Sequence, residues 1–242
     1  MDFYDVEADL YDLFYFDFDD DIGVYKKYAE QCENVLEFMC GTGRILHHLN
    51  HTNMWGVDSH EEMLRRAREN LKGMNVHLIK GDVREIKLNQ LFCLVIIGLN
   101  SLTMFSREDR IKILKNAYGH LRSGGRVVVD VFNPFEMVEG IVHHGDTVFQ
   151  GNKVYSRFFV PRREEDHWSI LYFYDIVEGK NMERRVAELK IYEITKDMLV
   201  EEMEEAGFTV EEIYGDYDMN PFTEESEKII VVGVKDGSHK EE

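Results

Sequence analysis

The chain has 242 residues, 44% apolar and 12% aromatic, enough to bury a substantial core in a single elaborated domain. Its formal charge is −19, from 28 basic against 47 acidic residues. With no basic stripe and no Lys/Arg-rich amphipathic face, that balance excludes nucleic acid and anionic membrane surfaces as expected partners.

Cys32, Cys40 and Cys93 are scattered, odd in number and without a C-x-x-C pair. They suit neither a disulfide framework nor a cysteine zinc site, and point to a reducing cytoplasm. The opening MDFYDVEADLYDLFYFDFDDD has no basic segment before an apolar run, and nothing approaches the roughly 18 apolar residues of a spanning helix, so neither a secretion signal nor a membrane span is expected.

In chain order, Asp19 to Asp21 can cap a helix with Ile22, Tyr25 and Ala29 on one face. Val35 to Met39 reads as a short buried strand, turned by Gly41-Thr42-Gly43 into a helix carrying Ile45, Leu46 and Leu49. A second strand runs from Asn53 to Val57 and ends at Asp58; Ser59 and Glu62 then form a capping box for a helix with Leu64, Ala67 and Leu71 inward. Glu61 with Arg65 and Glu62 with Arg66 are its expected exposed pairs. Val76 to Ile79 is a third strand, and Leu91 to Ile97 has the continuous apolar character of a central parallel strand.

Ser106 and Asp109 open a helix lined by Ile111, Leu114, Tyr118 and Leu121, which Ser123-Gly124-Gly125 stops before a fifth strand, Arg126 to Phe132. From Thr147 to Ile194, long β-type segments around Gly151-Asn152 and Gly179-Lys180-Asn181 indicate inserted antiparallel strands. Thr195 caps a last helix ending at Gly207, followed by strands Phe208 to Tyr214 and Lys228 to Val234. The pattern predicts an α/β fold: a doubly wound, mostly parallel seven-stranded sheet with an inserted antiparallel β-layer.

The glycine turn in E-F-M-C-G-T-G-R, Glu37 to Arg44, lets a ligand approach the backbone closely at Gly41 and Gly43. Asp58, at the end of the next strand, is placed to accept hydrogen bonds from both hydroxyls of a ribose. Past the third strand, Gly81-Asp82-Val83 sets Asp82 against an adenine amino group and the Val83 N–H toward the ring. These three features in this order point to an adenosyl ligand.

They resemble the class I S-adenosylmethionine-dependent methyltransferases, whose first motif, acid-ended second strand and G-D motif follow the same order. The segments Y-D-L-F-Y-F-D-F-D-D-D-I, E-E-M-L-R-R-A-R, L-R-S-G-G-R-V-V-V-D-V-F-N-P and A-G-F-T-V-E-E-I-Y-G-D-Y-D extend the resemblance, over nearly the whole chain, to a branch of small-molecule N- and O-methyltransferases. The resemblance implies S-adenosylmethionine as cofactor, Gly41 and Gly43 beside its methionine part with Arg44 following, and Glu37 ordering that loop. It places Asp58 on the ribose, Met63 near the adenine, Asp82 with Val83 on the adenine edge, and Leu99 beneath the cofactor. Tyr11 and Tyr15 would fold over it. Met39 departs from the pattern, since many relatives carry glycine or alanine there.

The expected layout is a single domain, 1–242, with a helical lid over 1–31, the cofactor-binding core over 32–140 and 195–236, and a substrate cover over 141–194. The expected activity is methyl transfer to a nitrogen or oxygen of a small molecule by a cytoplasmic monomer or homodimer. In-line displacement at a sulfonium requires no covalent nucleophile, and a base is needed only if the acceptor arrives protonated, so the catalytic role is left open, with Tyr15 and His144 as candidates. His47, His48 and His51 lack ligand spacing, and no metal is expected. The rival readings are a nicotinamide-dependent oxidoreductase, disfavoured by the absent G-x-G-x-x-G spacing, and a non-catalytic S-adenosylmethionine-binding protein.

Overall fold

The apolar runs of the sequence become strands in the order the period changes predict. The structure is a computed structural model that describes residues 3–51, 53–135 and 137–237. The chain opens with α1 (Phe3–Glu7), α2 (Tyr11–Tyr15) and α3 (Ile22–Ala29). It then alternates β1 (Val35–Phe38), α4 (Arg44–Leu49), β2 (Met54–Asp58), α5 (Glu61–Asn70), β3 (Val76–Lys80) and β4 (Phe92–Ile97). A 3-10 turn, Ser101–Met104, leads to α6 (Arg107–His120) and β5 (Leu121–Phe132). After four further strands, α7 (Lys196–Glu205), β10 (Thr209–Tyr214) and β11 (Lys228–Val234) close the chain.

Seven strands form one sheet in the order β10-β11-β5-β4-β1-β2-β3. Only β11 runs antiparallel, between β5 and β10. Every residue of β1 and β4 is buried, as expected for central strands covered by helices on both faces. Two apolar clusters fill those faces: Leu36, Phe38, Val95 and Leu114 belong to one, Val35, Leu46, Leu94 and Ile96 to the other.

The remaining strands, β6 (His143–Gln150), β7 (Lys153–Arg163), β8 (Trp168–Glu178) and β9 (Asn181–Ile191), form a separate antiparallel meander. Its hairpins turn at Gly151 (φ 61°) and Gly179 (φ 63°), where left-handed backbone favours glycine. The chain divides into two compact units. One is Asp19–Pro134 with Ile194–Glu242, and the other is Met1–Phe18 with Phe135–Glu193. The helical segment expected over 1–31 therefore divides, with α3 in the α/β unit and α1 and α2 in the unit of the meander.

Several local expectations are corrected. Asp21 occupies the N-cap of α3 without a side-chain cap bond, because its carboxylate is buried against Arg44. No capping box forms at Ser59: the N-cap is His60, and Asp58 Oδ1 accepts the His60 N–H at 2.8 Å. On α5, Arg65 pairs with Glu62 and Glu69, and Arg68 with Glu61. Helix α6 stops at His120, ahead of the glycines, where His120 Nε2 accepts the Leu88 N–H and its other ring nitrogen bonds the Asn116 carbonyl. Cys32 and Cys93 form a disulfide, with Cα atoms 5.6 Å apart, leaving Cys40 as the free buried thiol. Their pairing depends on the approach of the α3 end to β4, which cysteine spacing does not reveal.

Candidate functional site

Strand β1 has β2 on one side and β4 on the other, so the order of strand addition reverses there. In open α/β sheets such a switch point leaves a crevice at the carboxyl ends of the strands. The backbone at these tips adopts conformations L-residues avoid: Met39 (φ 58°) after β1, and Leu99 (φ 46°) with Asn100 (φ 63°) after β4. Met39, the bulky departure noted in the sequence, thus takes left-handed backbone and packs its side chain against the core.

The two motif glycines do different work. A Cβ on Gly43 (φ 81°) would lie 2.6 Å from Leu71 Cδ1, so its smallness serves helix packing. Gly41 (φ 52°) meets nothing within 4 Å and leaves open space over the backbone. Its N–H donates to Asp58 Oδ2 at 2.9 Å, so a carboxylate from β2 bridges the glycine loop and the start of α5. Glu37 is buried on β1, its Oε2 has no hydrogen-bond partner, and burial pushes its carboxyl well above the usual range. The nearby Arg44 charge opposes that shift.

Arg44 itself is committed elsewhere, its guanidinium buried and bidentate on Asp21 at 2.8 and 2.5 Å. Met63 is buried on α5. Asp82 is held below the usual carboxylate range by its hydrogen bonds from Arg84, which also engages Asp109. Val83 is buried and its carbonyl accepts from Asn116 Nδ2 at 2.9 Å.

At the tips of β4 and β5, residue 130 takes both N–H groups of the left-handed pair. Leu99 N–H donates to Asp130 Oδ2 at 3.1 Å, and Asn100 N–H to the Asp130 carbonyl at 3.0 Å. Tyr25 from α3 and Tyr217 from the loop after β10 donate to the same Oδ2 at 3.1 and 2.9 Å. Asp130 is fully buried, which raises its pKa, and Lys228 lies 4.0 Å from its Oδ1. Sequence reasoning missed Tyr25, Asn100, Asp130 and Tyr217; the one available signal was polar Asn100 and Asp130 within or just after apolar strands.

Tyr11, Tyr15 and His144 belong to the other compact unit. There Tyr11 and Tyr15 place their rings 4.8 Å apart, and Arg157 donates to the Tyr15 hydroxyl while stacking on its ring. Burial raises the Tyr15 pKa, against the Arg157 charge. His144 bonds Thr147 through Nε2 at 2.9 Å and is exposed on β6. Among the described residues, no group of three or more His, Cys, Asp or Glu side chains is arranged to hold a metal ion.

A seven-stranded sheet with one antiparallel strand, an adjacent glycine loop and an acid-ended second strand define the class I methyltransferase fold. Comparison with known proteins agrees: residues 35–125 match the family model described as a methyltransferase domain. An uncharacterized methyltransferase of Bacillus subtilis, YdaC, is 28% identical over 101 residues. That match covers 40% of this chain and 55% of the relative, so the chain spans about half the length of the curated protein it matches.

Solved structures resemble the whole chain. An S-adenosylmethionine-dependent methyltransferase from Clostridium acetobutylicum superposes with a TM-score of 0.82 at 19% identity, covering 97% of this chain and 99% of its own. The CcbJ methyltransferase of Streptomyces caelestis gives 0.78 at 22% identity, with 98% and 99% covered. The sugar N-methyltransferase KedS8 from Streptoalloteichus gives 0.75 at 21%, with 94% and 93% covered. Residues 35–125 thus match a methyltransferase domain, and the fold of the chain is that of the S-adenosylmethionine-dependent methyltransferase from Clostridium acetobutylicum.

Proposed function

We propose that this protein transfers a methyl group from S-adenosylmethionine to a nitrogen or oxygen of a small molecule. The observation that carries the reading is the convergence of Glu37, Gly41 and Asp58 at the tips of the adjacent strands β1 and β2, where Gly41 N–H and Asp58 Oδ2 are 2.9 Å apart.

The donor set suits that cofactor. Asp58 Oδ2 accepts the Gly41 N–H, while Oδ1 accepts the His60 N–H and lies 3.4 Å from His60 Nδ1, so the carboxylate is held toward the glycine loop with its Oδ2 side suited to ribose hydroxyls. The unpartnered Glu37 Oε2 is an acceptor suited to the amino group of the methionine part, and the space over Gly41 admits that part against the backbone. Met63 and Val83 would offer apolar and main-chain contacts to the adenine; Asp82 would have to share its carboxylate with Arg84. When bound, S-adenosylmethionine supplies an electrophilic methyl carbon on a sulfonium. The protein's own task is to hold the acceptor in line and keep water out. The likeness to a sugar N-methyltransferase supports a small-molecule acceptor. A role for Tyr11 and Tyr15 in covering the cofactor, and for Tyr15 or His144 as proton acceptor, belongs to the same proposal.

Calorimetric titration with S-adenosylmethionine, S-adenosylhomocysteine and NAD tests this. The first two are expected to bind in the micromolar range, and Asp58→Ala to weaken both by about tenfold or more, the loss of two hydrogen bonds to a carboxylate. Absence of binding, or preference for NAD, overturns the reading.

A further inference from the structure

Asp130 is fully buried on β5, one position past the last residue that pairs with β4, and groups from four other segments converge on it. Its Oδ2 accepts from the Leu99 N–H after β4, the Tyr25 hydroxyl of α3 and the Tyr217 hydroxyl of the loop after β10. Gly98 makes the room, since a Cβ there would lie 2.7 Å from the Tyr25 hydroxyl. Oδ1 has no hydrogen bond, and the Lys228 ammonium of β11 stops 4.0 Å away, partly exposed and over the Tyr217 ring.

This arrangement fits an ionised carboxylate. Three donors converge on Oδ2, and a proton on Oδ1 would find no acceptor there. Burial raises the pKa of the group, and the Lys228 charge acts against that shift. The negative charge is only partly offset, because a lysine at 4.0 Å that keeps contact with solvent is a screened partner. On the β1 side, the Arg44 guanidinium is already matched by Asp21.

Residue 130 also fixes the turn after β4, through the Leu99 N–H on its carboxylate and the Asn100 N–H on its carbonyl. On the methyltransferase reading that turn lies beneath the cofactor, which puts the carboxylate behind it. We infer that Asp130 is a specificity-determining residue, whose buried negative charge makes the site favour the cationic methyl donor, S-adenosylmethionine, over the neutral product, S-adenosylhomocysteine. This inference rests on the methyltransferase reading and deepens it.

The charge acts through its field and needs no contact with the ligand. In the transfer, the acceptor lone pair forms the new bond to the methyl carbon while the S–C bond breaks with its electron pair left on sulfur. Positive charge therefore passes from sulfur to the acceptor, which releases a proton to water. The attraction between Asp130 and the sulfur centre ends with that step, so the donor is retained and the product is let go.

The two ligands differ only by the methyl group and its charge, so the ratio of their affinities reads the sulfonium alone. Calorimetric affinities are measured on the full-length protein and two variants. Asp130→Asn keeps the shape and an oxygen for the three donors; Lys228→Met removes the countercharge and keeps the carboxylate. Asp130→Asn should lower the ratio of S-adenosylmethionine to S-adenosylhomocysteine affinity by about threefold to tenfold, and Lys228→Met should raise it by about twofold to threefold. A purely structural role would weaken both ligands in parallel, so an unchanged ratio, or a shift of the opposite sign, in either variant overturns the assignment. If Asp130→Asn does not fold, Lys228→Met decides alone by the same criterion. If neither ligand binds the wild type, the methyltransferase reading itself fails, and this inference with it.

Discussion

Two parts of the α/β unit bury charge in opposite ways. Between α6 and α7, Arg110 and Glu202 are both almost fully buried, and the guanidinium reaches both carboxylate oxygens, at 2.8 and 2.5 Å. A further Arg110 nitrogen donates to the Phe105 carbonyl at 2.9 Å. At the strand tips, by contrast, Glu37, Asn100 and Asp130 each keep a buried oxygen with no hydrogen bond. The first arrangement closes on itself and has nothing to offer a ligand. The second is incomplete in the protein alone, which is what a site poised for donor groups looks like.

The largest expected effect breaks the closed side. Glu202→Ala strands a buried guanidinium and should lower unfolding free energy by about 3–5 kcal/mol, read as a shift in denaturant midpoint. The fraction still folded should bind S-adenosylhomocysteine with unchanged affinity; weakened binding would mean that the two regions are coupled.

Glu7, in the unit of the meander, sharpens the contrast as an intermediate case. It accepts from the Tyr174 hydroxyl at 2.9 Å and lies 4.0 Å from Arg157, yet burial lifts its pKa from 4.5 to about 7. A pKa raised on folding means the folded state holds the proton more tightly. The stability it contributes is complete below about 4.5 and is lost as pH rises through about 7. Glu7→Gln should therefore unfold later than wild type by about 2–3 kcal/mol near pH 8, with the gap closing toward pH 4.5. A gap that does not vary with pH would show that Glu7 is ionised throughout.

The smallest effect probes the open side. Glu37→Gln keeps the shape of the side chain and should change stability by less than about 1 kcal/mol while weakening S-adenosylhomocysteine about tenfold. A large loss of stability with intact binding would place Glu37 in the closed class.

What the sequence made legible was what neighbouring residues decide. The strand into Gly41-Thr42-Gly43, the acid at Asp58, the turns at Gly151 and Gly179 and the caps at Ser106 and Thr195 are all set within a few residues, so period and turn chemistry expose them. Partners far apart in the chain were not legible. Asp21 looked like a cap because its true partner, Arg44, comes from another helix. Ser59 looked like a capping residue because nothing local shows Asp58 already taking the His60 N–H. Tyr25, Asp130 and Tyr217 meet only after the sheet has formed, and Arg157 reaches Tyr15 across 142 positions. The unpartnered oxygen of Asn100 is a property of the folded backbone and has no signature in the order of residues.

The Cys32–Cys93 bridge closes a covalent ring around one half of the switch point. Within its 61-residue span lie β1, the glycine loop, β2 and β3, hence Glu37, Gly41, Asp58 and Asp82, while Asn100 and Asp130 lie outside it. Closing a loop of that length removes about 4 kcal/mol of chain entropy from the unfolded state in the simplest account, as much as the largest substitution effect above. Oxidised and reduced preparations of this protein are thus two thermodynamic species, and a melting curve has meaning only when the thiol state of the sample is specified beside it.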